Sequence, residues 1–215
     1  MQAITWIERI SDETNPWLAA NRKEEEGDPL QAFTLYLEDA GECLRQKAYV
    51  KAALSCSCAA DCLAKMGRFS DAQMLITETA HMYLENADSI IGKSVREALW
   101  SLREAHEYFL LSEDTHAAEE VRERLVHLAS RVDPNIGIDE FIQTPPLRTS
   151  LFGGNVANNT FDLGNSSLVT EPLEQFMRVR QLGHGLDSKA VSSTAAVTAR
   201  RRGPINEASI ISQLG

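Results

Sequence analysis

Between Pro29 and Pro134 the chain contains no proline. Proline removes a backbone donor and its ring clashes with the preceding turn of a helix, so a proline-free stretch of this length is able to run as helices broken only by short turns. Beyond it come Pro134, Pro145, Pro146, Pro172 and Pro204, together with eight of the twelve glycines. This punctuation divides the sequence into residues 28–133, expected to form continuous antiparallel helical hairpins, and residues 134–215, expected to be a long and mostly irregular C-terminal tail. Residues 1–27 read as N-terminal capping helices. The first centres on Ile4, Ile7 and Ile10; the second starts at Asn15-Pro16, where asparagine caps and proline occupies the first turn. Asp28-Pro29 repeats that start signal, and Leu30, Phe33, Leu37, Ala40 and Leu44 follow at helical spacing.

Within the proline-free stretch a pattern recurs. Lys47-Ala48-Tyr49-Val50-Lys51-Ala52 matches Gly67-Arg68-Phe69-Ser70-Asp71-Ala72 in an aromatic-x-x-Ala core, and Val95-Arg96-Glu97-Ala98 and Thr115-His116-Ala117-Ala118 are weaker copies. Ala52, Ala72, Ala98 and Ala118 are thus spaced by 20, 26 and 20 residues, and small residues recur seven places later at Ala59 and Ala105 and eight later at Ala80. An antiparallel hairpin needs a short turn, a bulky residue beside it, and a small residue where two backbones approach. The pattern supplies all three, and predicts an all-α stack in which each unit stays half-exposed until its neighbour covers it.

A tyrosine or phenylalanine three places before alanine, after a short turn with glycine, resembles the tetratricopeptide (TPR) pattern, with Gly67-Arg68-Phe69-Ser70-Asp71-Ala72 as the best copy. The run from Ala40-Gly41-Glu42-Cys43 through Lys47 to Ala53 also resembles the related solenoids of the soluble NSF attachment proteins. The resemblance covers residues 30–132. It implies a TPR-like α-solenoid that scaffolds other proteins. The 26-residue step departs from the family's period of about 34 residues.

Charge narrows the classes of partner. The formal net charge is −10, of which residues 1–143 hold −12 (14 Lys and Arg against 26 Asp and Glu) and residues 144–215 hold +2 (7 against 5). An acidic body repels phosphate-rich surfaces, which argues against general affinity for nucleic acid or anionic membrane. No basic-then-apolar leader precedes the helices and no apolar run is long enough to span a bilayer, so the expected location is cytoplasmic.

Motifs for chemistry are incomplete. Gly92-Lys93-Ser94 has the ending of a phosphate-binding loop, but the position five before Gly92 is Ala87, and the triplet reads as a turn between helices. Cys43, Cys56, Cys58 and Cys62 all lie in helical pattern, and Cys56 and Cys58 point apart, so the thiols read as small core residues. His81, His106, His116 and His127 fall in helices and His184 in the tail, none within a metalloprotease or triad pattern, and they read as solvated or partly packed. Glu24-Glu25-Glu26 reads as a solvated helix end. No catalytic residue, cofactor or metal is assigned.

The tail carries more apolar residues than a plain linker does. Leu147, Leu151, Phe152, Val156, Phe161, Leu163, Leu168 and Val169 lie among glycine- and asparagine-rich turns, and a short helix is expected near residues 172–182, opening at Pro172 and carrying Phe176. Asn158-x-Thr160 and Asn165-x-Ser167 match the glycosylation pattern, which a cytosolic chain leaves unmodified. The anchors expected to dock the tail, on this solenoid or on a partner, are Phe152, Phe161 and Phe176. Arg200-Arg201-Arg202 is the one concentrated positive site and a second candidate for partner binding.

The function these features favour is a non-enzymatic, protein-binding adaptor or scaffold subunit of a larger complex, with a protein partner and no membrane span. The competing expectation is a regulatory or nucleic-acid-associated protein that touches phosphate through Arg200, Arg201 and Arg202.

Overall fold

A computed structural model describes residues 15–132 and 167–181. They form seven helices and no strand among the described residues. These are α1 (Pro16–Glu25), α2 (Pro29–Arg45), α3 (Tyr49–Lys65), α4 (Phe69–Ile90), α5 (Val95–Leu111), α6 (Thr115–Val132) and α7 (167–181). The expected first capping helix around Ile4, Ile7 and Ile10 lies outside the described residues. The chain divides into two compact units, Met1–Phe176 and Met177–Gly215. In the first, each of α1 to α6 packs on the next one in sequence, which makes the stack of hairpins a short α-solenoid.

The 20-residue spacing is the length of one helix and its turn. Helices α2, α3 and α5 each have 17 residues, and α2 and α3 end in three-residue connections. The longer 26-residue step arises because α4 has 22 residues and leads to α5 through the four-residue link 91–94. Counted from each helix start, position 4 is alanine in all of α1 to α6: the half-buried Ala19, then Ala32, Ala52, Ala72, Ala98 and Ala118, the last five each no more than 1% exposed. Each of these alanine amides donates the first helical bond, to the carbonyl of the residue before the helix, at 3.0 to 3.1 Å. The copy at Ala32 escapes the aromatic-x-x-Ala search because Pro29 stands where the aromatic stands elsewhere.

The same turn is used four times. After α1, α2, α3 and α5 the chain passes through one residue of positive φ: Gly27 (81°), Lys47 (56°), Gly67 (74°) and Glu113 (63°). Two backbone bonds close each turn, as in Ala48 N to Cys43 O (2.8 Å) and Lys47 N to Leu44 O (2.9 Å), which satisfies carbonyls that the helix end leaves free. The next residue caps the following helix where its side chain allows: Asp28 accepts from Gln31 N (3.0 Å) and Asp114 from Ala117 N (3.0 Å), whereas Ala48 and Arg68 provide no side-chain cap.

Lys47 and Ala48 therefore occupy positions where Gly27 and Asp28 show the better-suited residues. A left-handed conformation costs a residue with a Cβ about 1–2 kcal/mol, and a missing cap costs about 1 kcal/mol. The double substitution Lys47→Gly, Ala48→Asp is expected to raise unfolding free energy by about 1–2 kcal/mol, as a higher urea midpoint. An unchanged or lower midpoint contradicts this account of the turn.

The bulky residue expected beside the turn stands at the first helical position of α3 and α4, where Tyr49 is half-buried and Phe69 is 44% exposed. At the first helical position a side chain leans back over the turn, beyond the line of helix contact. The helix expected near 172–182 runs over 167–181 and starts before Pro172. Val169, Leu173 and Phe176 share one helical face and are all buried, with Val169 ahead of the proline. The remainder of 134–215 lies outside the described residues.

Candidate functional site

The repeat frame sorts the surface from the core. Position 12 is alanine in three successive helices, at Ala40, Ala60 and Ala80, each no more than 1% exposed, and in α5 it is His106. His106 is itself buried, and its Nδ1 has no hydrogen-bond partner. The expectation that the histidines are solvated or partly packed fails at this one. The frame could have found it, since three alanines in register mark a position where two helices meet. Three others fit the expectation: His81 is half-buried with its ring edge-on to Phe109 at 5.1 Å, and His116 and His127 are exposed, while His184 lies outside the described residues.

Burial lowers the proton affinity of His106 below the ordinary histidine value of 6.5, and Arg122 of α6 adds to the effect while Glu119 opposes it. The unfolded chain then binds the proton more readily than the folded one, so stability is lost as pH falls below about 6.5. His106→Ala, which restores the residue of the earlier repeats, is expected to lose less stability than the wild type between about pH 7.5 and about pH 5.5. Urea midpoints at both values test this; equal pH slopes would remove His106 as the cause.

The remaining motif residues have structural roles. Ser94 caps α5, its Oγ accepting from Glu97 N at 3.4 Å, while Gly92 and Lys93 are exposed in the turn. Cys56 donates to Leu75 O at 3.4 Å across the α3–α4 contact, and burial pushes the Cys62 thiol up to about 12 and the Cys43 thiol up to about 11. Such thiols stay protonated near neutral pH. Among the described residues no group of three His, Cys, Asp or Glu side chains is placed to hold a metal ion.

Glu24 is not a solvated member of its acidic run. It accepts from the Tyr36 hydroxyl at 3.0 Å and forms an ion pair with Lys65, joining α1 to both α2 and α3, whereas Glu25 and Glu26 are exposed. Burial first, and then this hydrogen bond, hold the Tyr36 hydroxyl protonated well above its ordinary range. The ion pair between Arg124 and Asp88 does the same for α6 and α4. These links between alternate helices bring residues far apart in sequence together.

The exposed apolar residues fall partly in register. Position 6 is Leu54 in α3 (43% exposed) and Trp100 in α5 (38% exposed). Trp100 meets the buried Tyr83 of α4 edge-on, with ring centroids 5.6 Å apart, and Tyr83 stacks on Tyr108 at 5.6 Å. One and two turns further along the same stripe lie Glu104 and Glu107, both contacted by Arg103, at 3.0 Å and 3.9 Å. Burial and the neighbouring Glu104 raise the proton affinity of Glu107, and Arg103 opposes them.

Of the residues singled out for partner binding, Phe176 is buried on α7 beside Val169 and Leu173 in the helical register, while Phe152, Phe161, Arg200, Arg201 and Arg202 lie outside the described residues. The sequence search did not single out Trp100, Glu104 and Glu107, because a tryptophan in helical pattern ordinarily reads as core. No helix among the described residues is long and apolar enough to cross a membrane. No protein-family model, curated protein or solved structure matches the chain.

Proposed function

We propose that this chain is a non-catalytic protein–protein interaction adaptor or scaffold subunit, built on a stack of helices whose aromatic-x-x-Ala sequence pattern resembles that of the TPR and soluble NSF attachment protein solenoids. The observation that carries the reading is the exposure of large apolar side chains, Leu54 and Trp100, at one repeat position of α3 and α5. Burying each would stabilise the isolated chain, and a rigid helix instead presents them to solvent. Tryptophan is the residue type most enriched among dominant interface contacts. Side chains fixed on packed helices also lose little further entropy on binding.

Affinity purification of the tagged full-length chain from a native lysate, read by mass spectrometry, is expected to recover a reproducible protein partner. Leu54→Ser is expected to reduce that recovery without lowering the melting midpoint. Absence of any reproducible partner, together with a measured turnover of a small molecule, would sink the adaptor reading.

A further inference from the structure

We infer that the α5 stripe Trp100, Glu104 and Glu107 docks a basic, amphipathic segment of a partner protein, whose cationic side chains pair with the two carboxylates while its apolar side chains cover the indole. This inference rests on the adaptor reading and names the chemistry of the partner. The three residues follow the i, i+4, i+7 spacing of one helix face. The edge contact of Trp100 with Tyr83, itself stacked on Tyr108, holds the indole from below and leaves 38% of the residue exposed. The ring is therefore an anchor already in place before a partner arrives.

Charge decides what kind of partner fits. Arg103 contacts both Glu104 and Glu107, so one guanidinium faces two carboxylates and the group carries an excess negative charge. The Glu104 and Glu107 side chains are only 18% and 26% exposed, so water screens that excess incompletely. The raised proton affinity of Glu107 follows from this burial and from Glu104, and it means that ionised Glu107 costs the free protein stability. A lysine or arginine supplied by a partner removes the excess, and a cation also binds over an indole face. The described residues 15–132 are acidic, with 13 Lys and Arg against 20 Asp and Glu, which draws in a basic segment and repels a second copy of the same surface.

The test uses the full-length chain and two fluorescently labelled helical peptides, read by anisotropy. One carries a leucine stripe flanked by arginines; in the other every arginine is glutamate. The basic peptide is expected to bind and the acidic one not to. Trp100→Ala and the pair Glu104→Gln, Glu107→Gln are each expected to weaken binding by about tenfold or more, with thermal melts run alongside. Glu107→Gln alone removes a poorly solvated charge, so it is expected to keep or raise the melting midpoint while still weakening binding. Equal binding of the two peptides, no binding of either, or affinity unchanged by the carboxylate substitutions overturns the inference. So does a wild-type dimer that Trp100→Ala dissociates, since that assigns the stripe to a second copy. If the pair variant still captures the wild-type partners from lysate, the adaptor reading survives and this stripe is not its surface.

Discussion

Phe109→Ala is expected to lower the unfolding free energy by about 3–5 kcal/mol, the range for deleting a buried aromatic side chain. Phe109 is 1% exposed and lies in α5 at position 15, the place taken by the buried Leu63 in α3 and Tyr83 in α4. Its ring meets the imidazole of His81 at 82°, with centroids 5.1 Å apart, so the substitution removes both the transferred apolar surface and a contact between α4 and α5. The helices around it are fixed by their own turns and by consecutive packing, which limits how far they can collapse into the space. Phe109→Leu keeps most of the apolar volume and is expected to cost less than half as much. Urea denaturation of both variants measures the effect. A loss under about 1 kcal/mol for alanine would mean that the α4–α5 contact repacks freely, against the close packing described above.

Ala59→Leu is the second large effect, expected to cost about 1–3 kcal/mol or to stop the protein folding altogether, because added methylenes in a filled core displace backbone. Ala59 is fully buried in α3, and seven of the nine buried residues of that helix, Leu63 and Cys62 apart, are alanine, serine or Cys56. Such side chains let the neighbouring backbones approach closely, at the cost of leaving no volume for a larger residue. Leu54→Ala, on the exposed side of the same helix, is expected to stay within about 0.5 kcal/mol of the wild type. If both substitutions have the same small effect, α3 is not the close-packed element that its buried alanines imply.

The starts of α1 and α2 and the succession of helices behind them are legible in the amino-acid sequence because they depend on short-range chemistry. Asn15-Pro16 and Asp28-Pro29 start helices through a side chain and an amide two or three residues away, and the alanine spacing records helix length directly. The turns were legible in part: Gly27 and Gly67 announce a positive φ, but Lys47 and Glu113 adopt it without any such signal, since the backbone bonds on both sides impose it. The start signal at Pro172 does not mark the start of α7, which begins at residue 167 and buries Val169 ahead of the proline.

What each side chain meets was decided by tertiary structure. Glu24 finds Lys65 at a separation of 41 residues and Arg124 finds Asp88 at 36, and no local pattern specifies either partner. His106 stands at a repeat position held by alanine in α2, α3 and α4, and Trp100 is left at the surface on a base of buried tyrosines. The reason is one of range. Helix formation is settled by bonds between residues up to four apart, so the sequence determines it locally. Burial and charge pairing depend on which helix stacks against which, and that is fixed only when the whole stack has formed.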